Sequence, residues 1–213
     1  MIIPKLHYKS QGNTPEEQLE HIQKACTSGI ELVQLDFDSS SEKQYLKLVQ
    51  DVRALTAHYQ TRLILTDNYE VAREVKADGV FFEFIEKDVL QTARNHIYTW
   101  QIIGAKATNL LECEQLIEAN IDYINLTPFE TADKTEEPKS LGKMGYQLIT
   151  EALDTQTPVL GSVGIQETVV KDILKAGVSG VILSDEITAD FNRIKIYNQL
   201  LGASATDEQR HTF

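Results

Sequence analysis

Carboxylate side chains follow three consecutive apolar runs of the sequence: Asp36 and Asp38, then Asp67, then Glu83, Glu86 and Asp88. Magnesium takes oxygen ligands and needs only one or two protein carboxylates when substrate phosphates supply the others. Asp67 and Glu86 are therefore candidate magnesium ligands. In the alternative interpretation, Asp67 caps the helix that begins near Asn68, and Glu86 lies in the first turn of the next helix, where acidic side chains complement the helix dipole.

Two lysines, Lys106 and Lys134, follow the next two apolar runs. A lysine beside a binding site can hold an anion or, if it is desolvated, lose its proton and act as a nucleophile or base. The alternative for Lys106 is an ion pair with one of the acids Asp36, Asp67 or Glu86. Lys134 lies in the polar segment 127–141, and loops longer than about 12 residues are commonly functional, so this segment predicts a lid.

Two short segments near the end of the chain are candidates for phosphate binding: Gly161-Ser162-Val163-Gly164-Ile165 and Leu183-Ser184-Asp185. Each precedes a helical pattern, and backbone amides at the start of a helix can cradle a phosphate. The alternative is an ordinary helix start, since a single glycine before a helix is common. His7 is the one histidine expected near the same site. No histidine pair has metal-ligand spacing and no serine lies in a G-x-S-x-G pattern, so the sequence favours neither zinc nor triad hydrolysis.

The elements that must position these residues alternate between apolar runs and helical patterns along the whole chain. The predicted strands are 2–8, 31–36, 62–66, 79–82, 99–104, 122–126, 157–161 and 179–183. The predicted helices are 15–28, 41–58, 68–76, 87–95, 109–119, 142–153, 166–175 and 187–201. Thr14, Pro15 and Glu17 form a capping box with proline at the first helical position.

A weak internal repeat supports the count of strands. Glu31, Asp78, Asp122 and Ser179 occupy equivalent positions at the start of every second strand, at intervals of 47, 44 and 57 residues. Eight parallel strands with nearly continuous apolar character close most simply into a single (β/α)8 TIM barrel, with an open doubly wound sheet as the alternative. A barrel gathers the residues that follow the strands at one face, where active sites of this fold form.

Composition limits the class of protein. The net charge of −12 argues against a nucleic-acid partner, whose phosphates require Lys and Arg, and no apolar run is long enough to span a membrane. We expect one barrel domain over residues 1–201, followed by a polar, mobile tail over residues 202–213. With Cys26 and Cys113 alone there is no disulfide framework, and with no secretory signal at the N-terminus we expect a cytoplasmic protein.

The strand ends resemble those of the thiamine phosphate synthase and thiazole tautomerase superfamily, a set of (β/α)8 barrels. The segments that carry the resemblance are GIELVQLDFD, TRLILTDNYEVAREVKADGVFF, IIGAKATNLLE, IDYINLTPFETADK, TPVLGSVGI and AGVSGVILSDEI. The resemblance implies a small phosphorylated substrate, a homodimer and one of two activities. The synthase joins an aminopyrimidine pyrophosphate to a thiazole phosphate with magnesium and releases pyrophosphate, whereas the tautomerase aromatises the thiazole phosphate.

The resemblance also implies roles for individual residues. The positions that match the thiazole phosphate site are Gly164 and Ser184, and Gln34 matches a residue of the pyrimidine pyrophosphate site. Asp67 and Glu86 match or approach the magnesium ligands, and Lys134 matches a residue that meets pyrophosphate. Thr127, directly after the sixth predicted strand, is a further candidate for binding the substrate.

The sequence departs from the family pattern at several of these strand ends. Asp36 and Asp38 stand where the family has two basic residues that bind pyrophosphate, so that close like charges oppose this anion unless metal or Lys106 compensates. The other departures are Thr66 for asparagine, Lys106 for serine, Thr108 for the histidine of the tautomerase, and Val163 for the first of two glycines.

Three hypotheses follow from the resemblance and the departures. The first is a divergent thiamine phosphate synthase. In it, Lys106 and Lys134 hold the pyrophosphate, and Asp67 and Glu86 hold magnesium. The second is a non-catalytic binder of thiazole phosphate or thiamine phosphate that lacks the pyrimidine half-site. The third is a different enzyme that uses Lys106 as a Schiff-base or general-base lysine.

Overall fold

A computed structural model describes residues 2–39, 41–84, 86–131 and 139–202 of the chain. Eight parallel strands close into a barrel in the order β1 to β8, so the predicted (β/α)8 barrel is confirmed and the open-sheet alternative is wrong. The strands are β1 Leu6–Lys9, β2 Leu32–Leu35, β3 Arg62–Thr66, β4 Gly79–Phe82, β5 Ile102–Ala107, β6 Tyr123–Leu126, β7 Val159–Ser162 and β8 Gly180–Leu183. The described helices are α1 Pro15–Thr27, α2 Glu42–His58, α3 Tyr69–Glu74, α4 Lys87–His96, α5 Leu110–Glu118, α6 Gly142–Leu153, α7 Glu167–Lys175, α8 Asp185–Ala189 and α9 Arg193–Leu200.

The buried side chains form two layers, one on each face of the sheet. The larger layer packs the outward-facing strand residues against the helices. The smaller layer fills the barrel interior and consists of Leu32, Ile64, Phe81, Ile102, Tyr123, Leu160 and Ile182. A Cβ at Gly104 would collide with the ring of Tyr123, so glycine is required there for the tyrosine to enter the interior. The interior is therefore a packed core, and ligands are restricted to its ends.

Two strands begin three or more residues later than predicted. The first strand begins at Leu6 rather than at residue 2, because Ile2 and Ile3 precede Pro4, which has no N–H to donate to a sheet. Strand β5 begins later than predicted because residues 98–101 form a turn, in which the Gln101 side chain accepts the N–H of Tyr98 at 2.8 Å. At its other end, this strand extends to Ala107 and therefore includes Lys106.

The predicted last helix, 187–201, is two helices. Asp190 separates them, since its side chain accepts the N–H of Asn192 at 3.0 Å and so turns the chain between α8 and α9. The predicted mobile tail lies outside the described residues, apart from Gly202. None of the described helices is long and apolar enough to cross a membrane.

His7 does not reach the site that the sequence suggested for it. The side chain is fully buried in the barrel, in register with Leu32 and Ile182, and its Nε2 lies 3.0 Å from the carbonyl oxygen of Pro4. Burial lowers the pKa of this imidazole to about 3, although the bond to Pro4 opposes the shift. The expectation that His7 serves the functional site is therefore wrong, and the residue is a neutral part of the core.

Candidate functional site

The carboxyl ends of the strands surround a cavity of about 210 Å³. Its lining residues come from the ends of β1, β4, β5, β6, β7 and β8 and include Lys9, Glu83, Lys106, Asn125, Thr127 and Gly164. Strand alternation explains this set, because every second residue of a barrel strand points into the barrel. Thr127 lies here as the sequence predicts, buried and with its N–H donated to Ala107.

A network of two lysines and two carboxylates lies at one side of the cavity. Lys9 Nζ is 2.7 Å from Glu83 Oε1 and 3.0 Å from Asp36 Oδ2. Lys106 Nζ is 3.2 Å from the second oxygen of the same glutamate. The two charges of each sign balance, so a lysine from β1 neutralises Asp36 at the end of β2.

The protonation of this network follows from its geometry. Burial alone would raise the pKa of Glu83, but hydrogen bonds and charges from Lys9 and Lys106 outweigh burial and lower it. Burial would likewise lower the pKa of Lys9, but Glu83 and Asp36 raise it overall. Both shifts favour the ionised forms of Glu83 and Lys9.

Lys106 forms an ion pair with a carboxylate, as the alternative interpretation of the sequence held, but the carboxylate belongs to a different residue. Its partner is Glu83 rather than Asp36, Asp67 or Glu86. An ammonium group engaged in this ion pair is not nucleophilic, which argues against a Schiff-base role. Lys134 and the centre of the predicted lid, residues 132–138, lie outside the described residues.

Asp67 does not cap the helix after β3. Asn68 caps α3 instead by accepting the N–H of Val71 at 3.0 Å. Asp67 Oδ1 accepts the backbone N–H of Glu83 at 3.0 Å, so it joins the ends of β3 and β4 beneath the charge network. Burial raises the pKa of Asp67, and the nearby charges of Glu83 and Asp36 add to the rise.

The two candidate magnesium ligands are not in contact within the described part of the chain. Glu86 is exposed at the residue before α4, and its side chain makes no capping hydrogen bond there. Among the described residues, no group of three or more His, Cys, Asp and Glu side chains could hold a metal by itself. Two hard oxygen donors nevertheless fit magnesium when the remaining ligands are phosphate oxygens.

The opposite side of the cavity is the β7–α7 loop, residues 163–166. Gly164 has φ +77°, and a Cβ there would collide with the carbonyl oxygen of Glu130, so only glycine fits. Phe129 and Glu130 donate their N–H groups to Ser162 and Val163 at 2.9 and 3.1 Å, which ties the loop to the chain after β6. Within the described residues, the N–H groups of Val163, Gly164 and Ile165 have no hydrogen-bond acceptor. Val163 and Gly164 line the cavity, so their N–H groups are available to an anion there.

The end of β8 is less suited to an anion than the sequence suggested. Ser184 lines the cavity, but its hydroxyl donates to the carbonyl oxygen of Lys9 at 2.8 Å. Asp185 and Glu186 line the same side and are acidic, and α8 is only five residues long. Ser184 therefore fixes the end of β1, while the β7–α7 loop supplies the free donors.

Two buried amides lie near the floor of the site. Gln34 is fully buried, donates from Nε2 to Thr66 Oγ1 at 3.1 Å and is not part of the cavity lining. Asn125 is in register with Lys106 and does line the cavity. Its buried Oδ1 has no hydrogen-bond partner in the described part of the protein. An unpaired acceptor of this kind is suited to a ligand N–H or O–H.

Lys9 and Asn125 are site residues that the sequence did not identify. A signal for Lys9 was present, because period-two alternation from the inward-facing His7 places residue 9 inward at the end of the strand. The predicted end of this strand at residue 8 concealed that position. Asn125 lies within an apolar run, and only its polar type distinguishes it from its neighbours.

Known proteins resemble the chain over almost its whole length. A sequence model of the family described as thiamine monophosphate synthase matches residues 8–187. A thiamine-phosphate synthase of Flavobacterium psychrophilum is 34% identical over 200 residues, which are 92% of this chain and 97% of the relative. The thiamine-phosphate synthase of Flavobacterium johnsoniae is 29% identical over 200 residues, or 92% of this chain and 94% of that protein.

Solved structures share the fold. Thiamine phosphate pyrophosphorylase from Pyrococcus furiosus superimposes with a TM-score of 0.78 at 22% identity and covers 93% of this chain and 97% of its own. A 3-hexulose-6-phosphate synthase superimposes with a TM-score of 0.66 at 12% identity, over 94% and 99% of the two chains. At these identities the structures establish the barrel alone. The match of the family model over residues 8–187 and the 34% identical relative establish that the chain belongs to the thiamine monophosphate synthase family.

Proposed function

We propose that the protein joins an aminopyrimidine pyrophosphate to a thiazole phosphate and releases pyrophosphate. The observation that carries this proposal is the cavity between the ammonium groups of Lys9 and Lys106 and the N–H groups of Val163 and Gly164, which have no acceptor among the described residues. Backbone donors of this kind suit the phosphate of the thiazole. The lysines opposite them suit the pyrophosphate.

The charge network makes the acidic end of β2 compatible with a bound pyrophosphate. Lys9 neutralises Asp36, so this carboxylate presents little net charge to the cavity. Lys106, with Lys134 from the segment outside the described residues, completes the set of cations proposed for the anion. Pyrophosphate gains negative charge as it leaves, and fixed cations stabilise charge that develops in a transition state.

Asp67 and Glu86 are the residues that we propose for magnesium, with phosphate oxygens as the other ligands. Magnesium supplies charge neutralisation of the pyrophosphate when it is bound. Asp67 also holds the backbone of Glu83 through its Oδ1, so its contribution to order at the ends of β3 and β4 does not depend on metal.

The test is formation of thiamine phosphate from the two substrates with magnesium, measured by fluorescence after oxidation against a control without enzyme. We expect product with the wild-type chain and loss of product in Lys106→Ala and Lys134→Ala. Lys143→Ala is the matched control, since this lysine pairs with Asp172 on the outer helices α6 and α7. Absence of product at high concentrations of folded protein contradicts the proposal.

A second function is favoured by the pairing of the lysines. Both cations of the described cavity already have carboxylate partners, which suits a protein that binds thiazole phosphate or thiamine phosphate without catalysis. Thermal stabilisation by thiazole phosphate, with none by the pyrimidine pyrophosphate, is the result expected from this second function. Stabilisation by both ligands argues for the coupling reaction, and indifference to both rejects each function.

A further inference from the structure

Glu83 occupies the position between two ammonium groups of the cavity. Its two carboxylate oxygens are divided between them, with Oε1 2.7 Å from Lys9 Nζ and Oε2 3.2 Å from Lys106 Nζ. A phosphate group bridging two lysines would use its oxygens in the same way. The carboxylate therefore resembles a bound anion that the chain itself supplies.

We propose that Glu83 is an internal anion that competes with the diphosphate group of a ligand for Lys9 and Lys106. This inference rests on the proposed function, in which the same lysines receive a pyrophosphate. Glu83 then sets how tightly the site holds pyrophosphate, and it acts through the two lysines as a positioning residue.

The hydrogen bond to the backbone of Glu83 favours a change of partner by the two lysines over a movement of the Glu83 chain segment. Asp67 Oδ1 accepts the N–H of Glu83 at 3.0 Å and holds the chain at this position. The lysines carry their charges on flexible stems, so each ammonium can turn from the fixed carboxylate to an incoming phosphate oxygen. Asp36 lies within 3.0 Å of Lys9 and remains a partner for it in either state.

Competition of this kind weakens binding of the free anion and speeds its departure. Without Glu83, the cavity would retain both lysines with Asp36 as their one carboxylate partner among the described residues, so a diphosphate would meet one competing carboxylate fewer. With Glu83, a diphosphate must displace a partly buried ion pair before it gains the same contacts. The carboxylate therefore favours release of pyrophosphate after each turnover.

The experiment is calorimetric titration of the full chain with inorganic pyrophosphate, with and without magnesium. We expect Glu83→Gln to bind pyrophosphate at least about ten times more tightly than the wild type, because the amide has nearly the same shape but no charge. Glu83→Asp retains the charge and should stay within about threefold of the wild type. Asp172→Asn changes the net charge equally on an outer helix and should have no effect.

If Glu83 has only a structural role, its loss will leave the affinity for pyrophosphate unchanged or will reduce it. An unchanged affinity, a reduced affinity, or undetectable binding by both the wild type and Glu83→Gln overturns the proposal. If Glu83→Gln does not fold, as judged by circular dichroism, Glu83→Ser is titrated in its place against the same expectation.

The failure of the proposed function is distinguishable from the failure of this inference. A chain that forms no thiamine phosphate, but whose Glu83→Gln variant gains affinity for pyrophosphate, retains the competition and lacks the coupling reaction. A chain that forms product, but whose variant gains no affinity, retains the reaction and lacks the competition.

Discussion

Lys9 Nζ lies 3.0 Å from Asp36 Oδ2, and this pair joins the end of β1 to the residue after β2. Asp36 stands where a basic residue is expected from the family resemblance, and the lysine beside it restores a neutral balance. The positive charge at this place thus comes from β1 and not from the end of β2. We therefore expect binding of an anion at this mouth to depend on Lys9.

Replacing Lys9 by Met should weaken binding of pyrophosphate by at least about tenfold, because Glu83 and Asp36 then face the cavity with one cation fewer. Asp36→Asn in the same chain should recover part of the loss, since it removes one of the uncompensated carboxylates. A double-mutant cycle measured by calorimetry tests both statements. Binding by Lys9→Met at the wild-type level would show that this lysine is not part of the site.

Gly164→Ala should destabilise the protein and abolish phosphate binding at the β7–α7 loop. The added Cβ meets the carbonyl oxygen of Glu130, and φ is +77°. Gly142 is the matched control, because it also has positive φ, at +58°, but has open space around it. We expect Gly142→Ala to cost about 1 kcal/mol of unfolding free energy and Gly164→Ala to cost about 1–3 kcal/mol more. Equal costs in urea denaturation would contradict the steric argument.

Val163 is a strained residue that exchange for asparagine should relieve. It has φ +62° and its side chain is largely exposed, so a β-branched residue gains little burial to offset the unfavourable backbone conformation. We expect Val163→Asn to raise the free energy of unfolding by about 1 kcal/mol and Val163→Ala to raise it less. Loss of stability in the asparagine variant would refute the interpretation of strain.

His7 should make stability depend on pH in the acid range. Its pKa in the folded chain is about 3, below the unfolded value of 6.5, so the unfolded state binds the extra proton between these values. The contribution is fully present above pH 6.5 and is lost as the pH falls towards 3. Between about pH 6 and pH 5, the wild type should lose about 1 kcal/mol more unfolding free energy than His7→Gln. Parallel loss in both chains would exclude this histidine as the source.

The barrel follows from local features that the sequence displays. The runs 62–66 and 79–82 are bounded by turn residues and match β3 and β4 at both ends. The start of β5 was predicted less well because the turn at Gln101 depends on hydrogen bonds that apolar spacing does not show. The start of β1 was placed too early, although Pro4, which has no N–H, is visible in the sequence. Apolar periodicity establishes which segments are strands, while their bounds depend on individual hydrogen bonds.

The sequence indicated where the candidate site lies, but not which of its charged side chains form ion pairs with one another. Strand ends with Lys106, Thr127 and Gly164 were identified because they follow apolar runs, and the structure places all three around the cavity. That Glu83 bridges two lysines depends on how strands distant in sequence are arranged around the barrel, which spacing along the chain does not encode. The neutralisation of Asp36 by Lys9 could not be predicted from spacing along the chain for the same reason.

The coupling reaction is tested most directly by the ³¹P NMR spectrum of one sample that contains the protein, magnesium, the aminopyrimidine pyrophosphate and the thiazole phosphate. We expect the signal of the pyrophosphate ester to be replaced by that of free pyrophosphate, with one thiamine phosphate formed for each pyrophosphate released. An unchanged spectrum with folded protein, or release of pyrophosphate without thiamine phosphate, would contradict the proposed function.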